Sequence, residues 1–339
     1  MKPSLPTPLA SALREFFAEH LPRLRGMSPH TVHSYRDSLS LLLRFTAQHH
    51  GTAVAVLDLD KIGPDEVIGF LEYLETDRHN TAVTRNVRLA AIHAFFRFLA
   101  TRNPEQLERC QRILAVPFKR AHTRSIEYLE YDEIQAVLAA VDRRIPDGRR
   151  DYALLATMFN TGARVQEILD LRPRDLQLVR PFQLRLMGKG RKERLCPLWP
   201  QTAELLKELL QASDTDPDTP QPLFRNHRGQ PLTRFGVRYL LAKYCDRARA
   251  HSPTLARKRL HPHSMRHSTA VHLLRSGVDL VTISHWLGHA SPNTTNRYAT
   301  VDLDMKRQAI AKARPNDGSH PVLAPWKTDA SILTWLERL

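Results

Sequence analysis

HPHSMRHSTAVHLL, residues 261–274, opens an apolar helical pattern with side chains that are costly to bury. His263, Arg266 and His267 stand where Pro262 starts the helix, and three readings are open: a metal site, a phosphate clamp, or a solvated first turn. His263 and Arg266 are spaced i, i+3 and share one helix face. They lie in the first turn, where free N–H groups and the helix dipole favour an anion. The metal reading pairs His263 with His267. A zinc hydrolase of this spacing places Glu directly after the first His, but Ser264 stands there, and no third ligand follows in register. No metal and no cofactor are expected.

The rest of the chain supports an anionic partner. Its 339 residues suit two or three domains, and its formal charge of +15 points to nucleic acid first and an anionic membrane surface second. No apolar run approaches the ~18 residues of a membrane span, and the start MKPSLPTPLASAL has no secretory apolar region, so a cytoplasmic protein is expected. Cys110, Cys196 and Cys245 are scattered and read as buried free thiols.

Periodicity divides the chain. Residues 1–116 read as a four-helix domain. Within it, Ser28 and Pro29 start a helix that Gly51 ends, Pro64 opens another, and Val87, Ala91, Ala94, Phe95 and Phe98 line one face of a third. Arg36, Arg85, Arg88 and Arg97 fall on polar faces, the first three being candidate DNA contacts. Residues 117–126 are a basic linker carrying Lys119, Arg120 and Arg124, three more candidates, and two basic domains so joined suit a clamp around a duplex. Residues 127–313 form a second unit. Helices there give way after Asp175 to short alternating runs around a Gly-Lys-Gly turn, a small antiparallel sheet, before helices resume. Residues 314–339 are a Pro/Gly tether and a short helix with Ile332, Leu333, Trp335 and Leu336 as its apolar stripe.

Five polar features fit phosphate chemistry. NTGARVQEIL sets Arg164 just after a Gly break, with Glu167 three residues on; MGKGRKERL sets Lys189 at a turn tip, with Lys192 nearby; HPHSMRH, HWLGH and NRYATV add His263, Arg266, His289 and Tyr298. Each alone has a bland reading: a solvated helix Arg, a solvated turn Lys, a packed Tyr. Their order and content together resemble the tyrosine recombinase, or phage integrase, family, most closely its Xer-type and transposon-borne members. The resemblance runs over about 30–312, from SPHTVHSYRDSL through TGARVQEILDL, GKGRKERLCPL and HPHSMRHSTAVHLL to LGHASPNTTNRYATV.

The resemblance implies a mainly α fold: a SAM-like core-binding domain and an α+β catalytic domain. It also implies metal-independent DNA strand cleavage and exchange through a 3′-phosphotyrosine. Arg164, Lys189, His263, Arg266, His289 and Tyr298 take the family's catalytic roles, Tyr298 as nucleophile, with Glu167, His267 and Lys192 in support. Further implied are double-stranded DNA as partner, a homo-tetramer on paired sites with or without a second recombinase, a bacterial, nucleoid-associated setting, and no membrane or small-molecule substrate. Two alternatives stay open: a type IB topoisomerase-like nicking-closing enzyme and a non-catalytic DNA-binding accessory factor.

Overall fold

A computed structural model of the protein describes residues 7–121, 126–188, 190, 192–212, 219–289 and the helix 292–299. The chain divides into two compact units between Arg124 and Ser125.

The first unit is helical. Thr7 caps α1 (Pro8–Glu15), which runs on as a wider π-helical stretch over Phe16–Leu24 that contains Pro22. Pro22 has no N–H to give, and the wider turns carry the chain past it. The Ser28 hydroxyl accepts from the Thr31 N–H to start α2 (Pro29–His49), and Gly51, at φ +59°, follows its end. α3 (Pro64–Thr76) and α4 (Ala82–Arg102) follow. A fifth helix, α5 (Leu107–Leu114), joins the expected four and buries Cys110 and Ile113 against the same core.

α4 corrects the single-face reading. Val87 is exposed, whereas Leu89, Ile92, Phe95, Phe96, Phe98 and Leu99 are all buried. After its second turn the helix is the central one, with α2, α3 and α5 packed around it, so its apolar residues wrap the axis instead of tracing a stripe. The basic side chains differ in placement. Arg36 is exposed and paired with Asp37, and Arg97 and Arg120 are exposed. Arg85 is turned inward, near Glu75 and the Pro117 carbonyl, and Lys119 also pairs with Glu75 at 2.9 Å. Arg88 is half-buried, its Nε without a hydrogen-bond partner among the described residues. Arg124 lies outside the described residues.

The second unit starts with α6 (Tyr131–Ala139), α7 (Pro146–Thr161) and the short α8 (Val165–Leu169). The sheet is a three-stranded antiparallel meander of β1 (Leu176–Gln177), β2 (Gln183–Met187) and β3 (Glu193–Pro197), with Leu184 opposite Cys196 and Leu186 opposite Arg194. Alternation puts Leu184, Leu186 and Cys196 in the core and Met187 and Leu195 in solvent. Then come α9 (Pro200–Ala212), α10 (Arg234–Ala248), α11 (Pro262–Arg275), α12 (Leu280–Leu287) and α13 (Pro292–Ala299). α11 packs on α7, and α12 and α13 lie over α11, giving the site its layers. The three cysteines are free and buried, and burial pushes the Cys196 thiol up to about 12. No described helix is long and apolar enough to cross a membrane. The tether and terminal helix expected over 314–339 lie outside the described residues.

Candidate active site

Two helix ends build the centre. α7 stops at Gly162 and α12 at Gly288, both left-handed, at φ +57° and +63°. A side chain at Gly162 would stand 2.5 Å from Leu287 Cδ2, so only glycine lets the two ends meet. Helix C-termini carry partial negative charge on unpaired carbonyls. Two guanidiniums satisfy them: Arg266 donates to the Gly162 carbonyl at 2.7 Å and to the Leu287 carbonyl at 2.6 Å, and Arg164 donates to the Gly288 carbonyl at 3.3 Å.

Arg164 stands just before α8. Glu167, one turn in, accepts from its backbone N–H at 2.9 Å and from its guanidinium at 2.8 Å. Burial alone would push the Glu167 carboxyl up, but Arg194 and Arg164 together hold it below the usual range. Arg266 is almost wholly buried, and burial beside the Arg164 charge lowers its pKa to about 10, which keeps it a cation at neutral pH.

Three histidines border this centre. His263 is accessible to solvent at the start of α11, and His267 stacks one turn behind it. His289, just past Gly288, bonds through Nδ1 to the Thr295 hydroxyl of α13 at 2.7 Å. Burial lowers all three pKa values, reinforced by Arg266 at His263, by His263 at His267 and by Arg266 and Arg164 at His289; His267 and His289 fall to about 4. The latter two are therefore neutral at pH 7. Among the described residues no cluster of His, Cys, Asp and Glu has the makings of a metal site.

Tyr298 reaches the centre from α13. Its ring stacks on His289, and its hydroxyl is hydrogen-bonded to His267 Nδ1 at 2.9 Å. Only 2% of the residue is exposed. Burial raises the phenol pKa, against the pull of the nearby Arg266 and Arg297 charges. His267 is thus a partner of the tyrosine more than a prop beneath the clamp.

The structure brings Arg164, Glu167, His263, Arg266, His267, His289 and Tyr298 together. Lys189 lies outside the described residues. Lys192 is exposed, and its carbonyl accepts from Gly188 to close the hairpin. The sequence reading missed Arg194, which donates to Glu167 at 2.6 Å, and Thr295. Arg194 had a signal: in the alternation of β3 it shares the inward face with Cys196 while Leu195 points out, an inversion that asks for a buried partner. Thr295 had none.

The mainly α second unit thus gathers two guanidiniums, neutral imidazoles and a tyrosine at two glycine-capped helix ends. The phage integrase family model matches residues 127–304, and its N-terminal SAM-like domain model matches residues 13–103. The chain belongs to the phage integrase family and is a tyrosine recombinase. It is 38% identical, over 98% of both chains, to a Sinorhizobium fredii protein described as "Putative integrase/recombinase y4rC". It is 34% identical to the tyrosine recombinase XerC of Pelobacter propionicus, over 91% of this chain and 96% of that one. Its fold matches XerH site-specific recombinase bound to palindromic difH substrate in a post-cleavage complex (TM-score 0.67, 23% identity, 85% of this chain and 81% of that one). It also matches the Tn1549 transposon integrase in complex with a circular intermediate DNA (TM-score 0.63, 15% identity, 88% and 98%).

Proposed function

We propose that this recombinase cuts and rejoins DNA strands at paired sites, with Tyr298 as nucleophile. The convergence of Arg164, Arg266, His263, His289 and Tyr298 on two abutting helix ends carries this reading. The phenolic oxygen forms a bond to the scissile phosphorus as the bond to the 5′-oxygen breaks. His263 takes the phenolic proton, and Lys189 gives one to the leaving oxygen. The phosphate ends on the tyrosine, so the 5′-hydroxyl of another strand can attack in turn. Arg164 and Arg266 sit over the non-bridging oxygens, and preorganised cations in a water-poor site favour the transition state most. His289 adds a hydrogen bond to the phosphate.

The described arrangement is a resting one in this reading. A phenol bonded to His267 and covered on all sides cannot attack, so DNA binding must free Tyr298, and α13 is the element that moves. Matching structures of XerH, lambda integrase and Tn1549 integrase are DNA complexes, which supports duplex DNA as the partner here. The exposed Arg36, Arg97 and Arg120 and the net charge of +15 support binding through phosphates. Arg85, Arg88 and Lys119 serve less directly, and Arg124 completes the basic linker. The working assembly is a homo-tetramer on two sites, in the cytoplasm.

A nicked duplex that traps the cleaved strand tests the chemistry. Wild-type protein should form a covalent adduct in the presence of chelator, and Tyr298→Phe should form none. Adduct formation by the Phe variant identifies another nucleophile. Plasmid relaxation with no need for a second site would favour the topoisomerase-like alternative. Native mass measurement on a duplex carrying one site and on two such duplexes tests the assembly: four protomers on two sites are expected, and a lone protomer at each site removes the tetramer.

A further inference from the structure

We propose that Arg194 is a positioning residue, one that touches no DNA and keeps Arg164 free for the scissile phosphate. The inference rests on the role given above to Arg164.

Glu167 is buried and receives four donors: the Arg164 backbone N–H at 2.9 Å, Arg164 Nη1 at 2.8 Å, and Arg194 Nη2 and Nη1 at 2.6 and 3.3 Å. The carboxylate is therefore shared. Arg164 gives Nη1 to it and Nη2, at 3.3 Å, to the Gly288 carbonyl, and its side chain is one-third exposed. Arg194 is only 12% exposed and spends its charge inside. A buried carboxylate left with one cation takes that cation as a two-pronged partner, because nothing else offsets its desolvation. Without Arg194, the Glu167 charge falls on Arg164 alone. The local charge of two guanidiniums and one carboxylate drops from +1 to zero, and Arg164 is drawn inward from the phosphate.

Three further contacts extend the same hold. Arg194 Nε donates to the Trp286 carbonyl at 3.0 Å, in the last turn of α12, and its guanidinium lies against Gly288, so it also fixes the approach to His289. Gly188, at the root of the hairpin loop, lies close enough that a Cβ there would be 3.5 Å from Arg194 Nη1 and 3.6 Å from Glu167 Oε1. Gly188, which precedes Lys189 in sequence, therefore lies against the same ion pair. A surface cation would have none of these three attachments.

A charge-compensation cycle tests this, read as single-turnover cleavage of the nicked duplex at saturating protein. Arg194→Met should slow cleavage ~30- to 300-fold, the scale of a lost transition-state donor, while duplex Kd stays within about threefold. Adding Glu167→Gln restores the +1 charge and releases Arg164, so the double variant should cleave at least ~10-fold faster than Arg194→Met. A merely architectural ion pair predicts the opposite, because a second lost partner repairs nothing. Cleavage by Arg194→Met within threefold of wild type, or a double variant no faster than the single, overturns the proposal. If Arg194→Met does not fold, Arg194→Lys keeps the charge but loses the fork and should cleave ~10-fold slower; wild-type speed then overturns it. Tyr298→Phe on the same duplex separates the two claims: adduct there sinks the underlying reading, whereas its absence beside a fast Arg194→Met sinks only the role of Arg194.

Discussion

The two units spend their arginines and lysines differently. In the first, Arg36 pairs with Asp37, and Arg85 and Lys119 gather at Glu75, so carboxylates offset part of the positive charge while Arg97 and Arg120 stay exposed. In the second, Arg164, Arg194 and Arg266 surround one buried carboxylate and the negative ends of two helices. Helix ends hold a guanidinium with partial charge only, and they do not neutralise it. The first arrangement suits a duplex that is held by many weak contacts. The second concentrates surplus charge at one point, as a phosphoryl transition state requires.

Substitution at Arg266 should sharpen this contrast most. Arg266→Lys keeps the charge but cannot bridge two carbonyls, so single-turnover cleavage should fall ~100- to 1000-fold with duplex affinity little changed. Equal losses in rate and affinity would show that the two units do not divide the work. Next is the backbone that lets the helix ends meet. Gly162→Ala imposes a left-handed residue and a clash with Leu287, and should cost about 2–3 kcal/mol, read from the urea midpoint. An unchanged midpoint would mean that the junction is loose.

Acid should act on the second unit. His267 and His289 titrate at about 4 in the folded chain against an ordinary 6.5. Between these values the unfolded chain binds more protons, so their contribution is complete above about 6.5 and is lost as pH falls toward 4. Thermal melting should show a steeper drop from pH 7 to 5 in wild type than in a His267→Gln, His289→Gln variant; parallel curves would contradict burial of neutral rings. The smallest effect belongs to the first unit. Lys119→Ala should change duplex Kd less than about threefold, because Glu75 already takes its charge, whereas Arg120→Ala should lower the salt slope by ~0.9 if it meets a phosphate. A large loss at Lys119 would show that Glu75 releases it on DNA.

Much of the architecture could be read from periodicity. The switch near Asp175 from helical to alternating spacing located the sheet, and Ser28, Pro64 and Gly162 marked helix ends by local chemistry alone. The site was legible because its residues sit at such ends, where polar groups interrupt apolar patterns. What escaped depends on partners far away in the chain. Nothing around Arg85 announces that Glu75 of another helix will claim it. Nor does Val87 reveal that α4 becomes central only a turn later. Tyr298 was legible as a residue but not as a buried one, since its cover comes from α11 and from the loop at His289.

The bond between Tyr298 and His267 carries a consequence for how such a protein can search. A molecule with a large positive charge settles on any duplex, and most of its time is spent on the wrong sequence. In the proposed mechanism the phenolic oxygen is stowed against an uncharged ring, and those visits would leave the DNA intact. Under that mechanism breakage waits for the event that prises one short helix loose, so restraint would be built into the protein before any site is met.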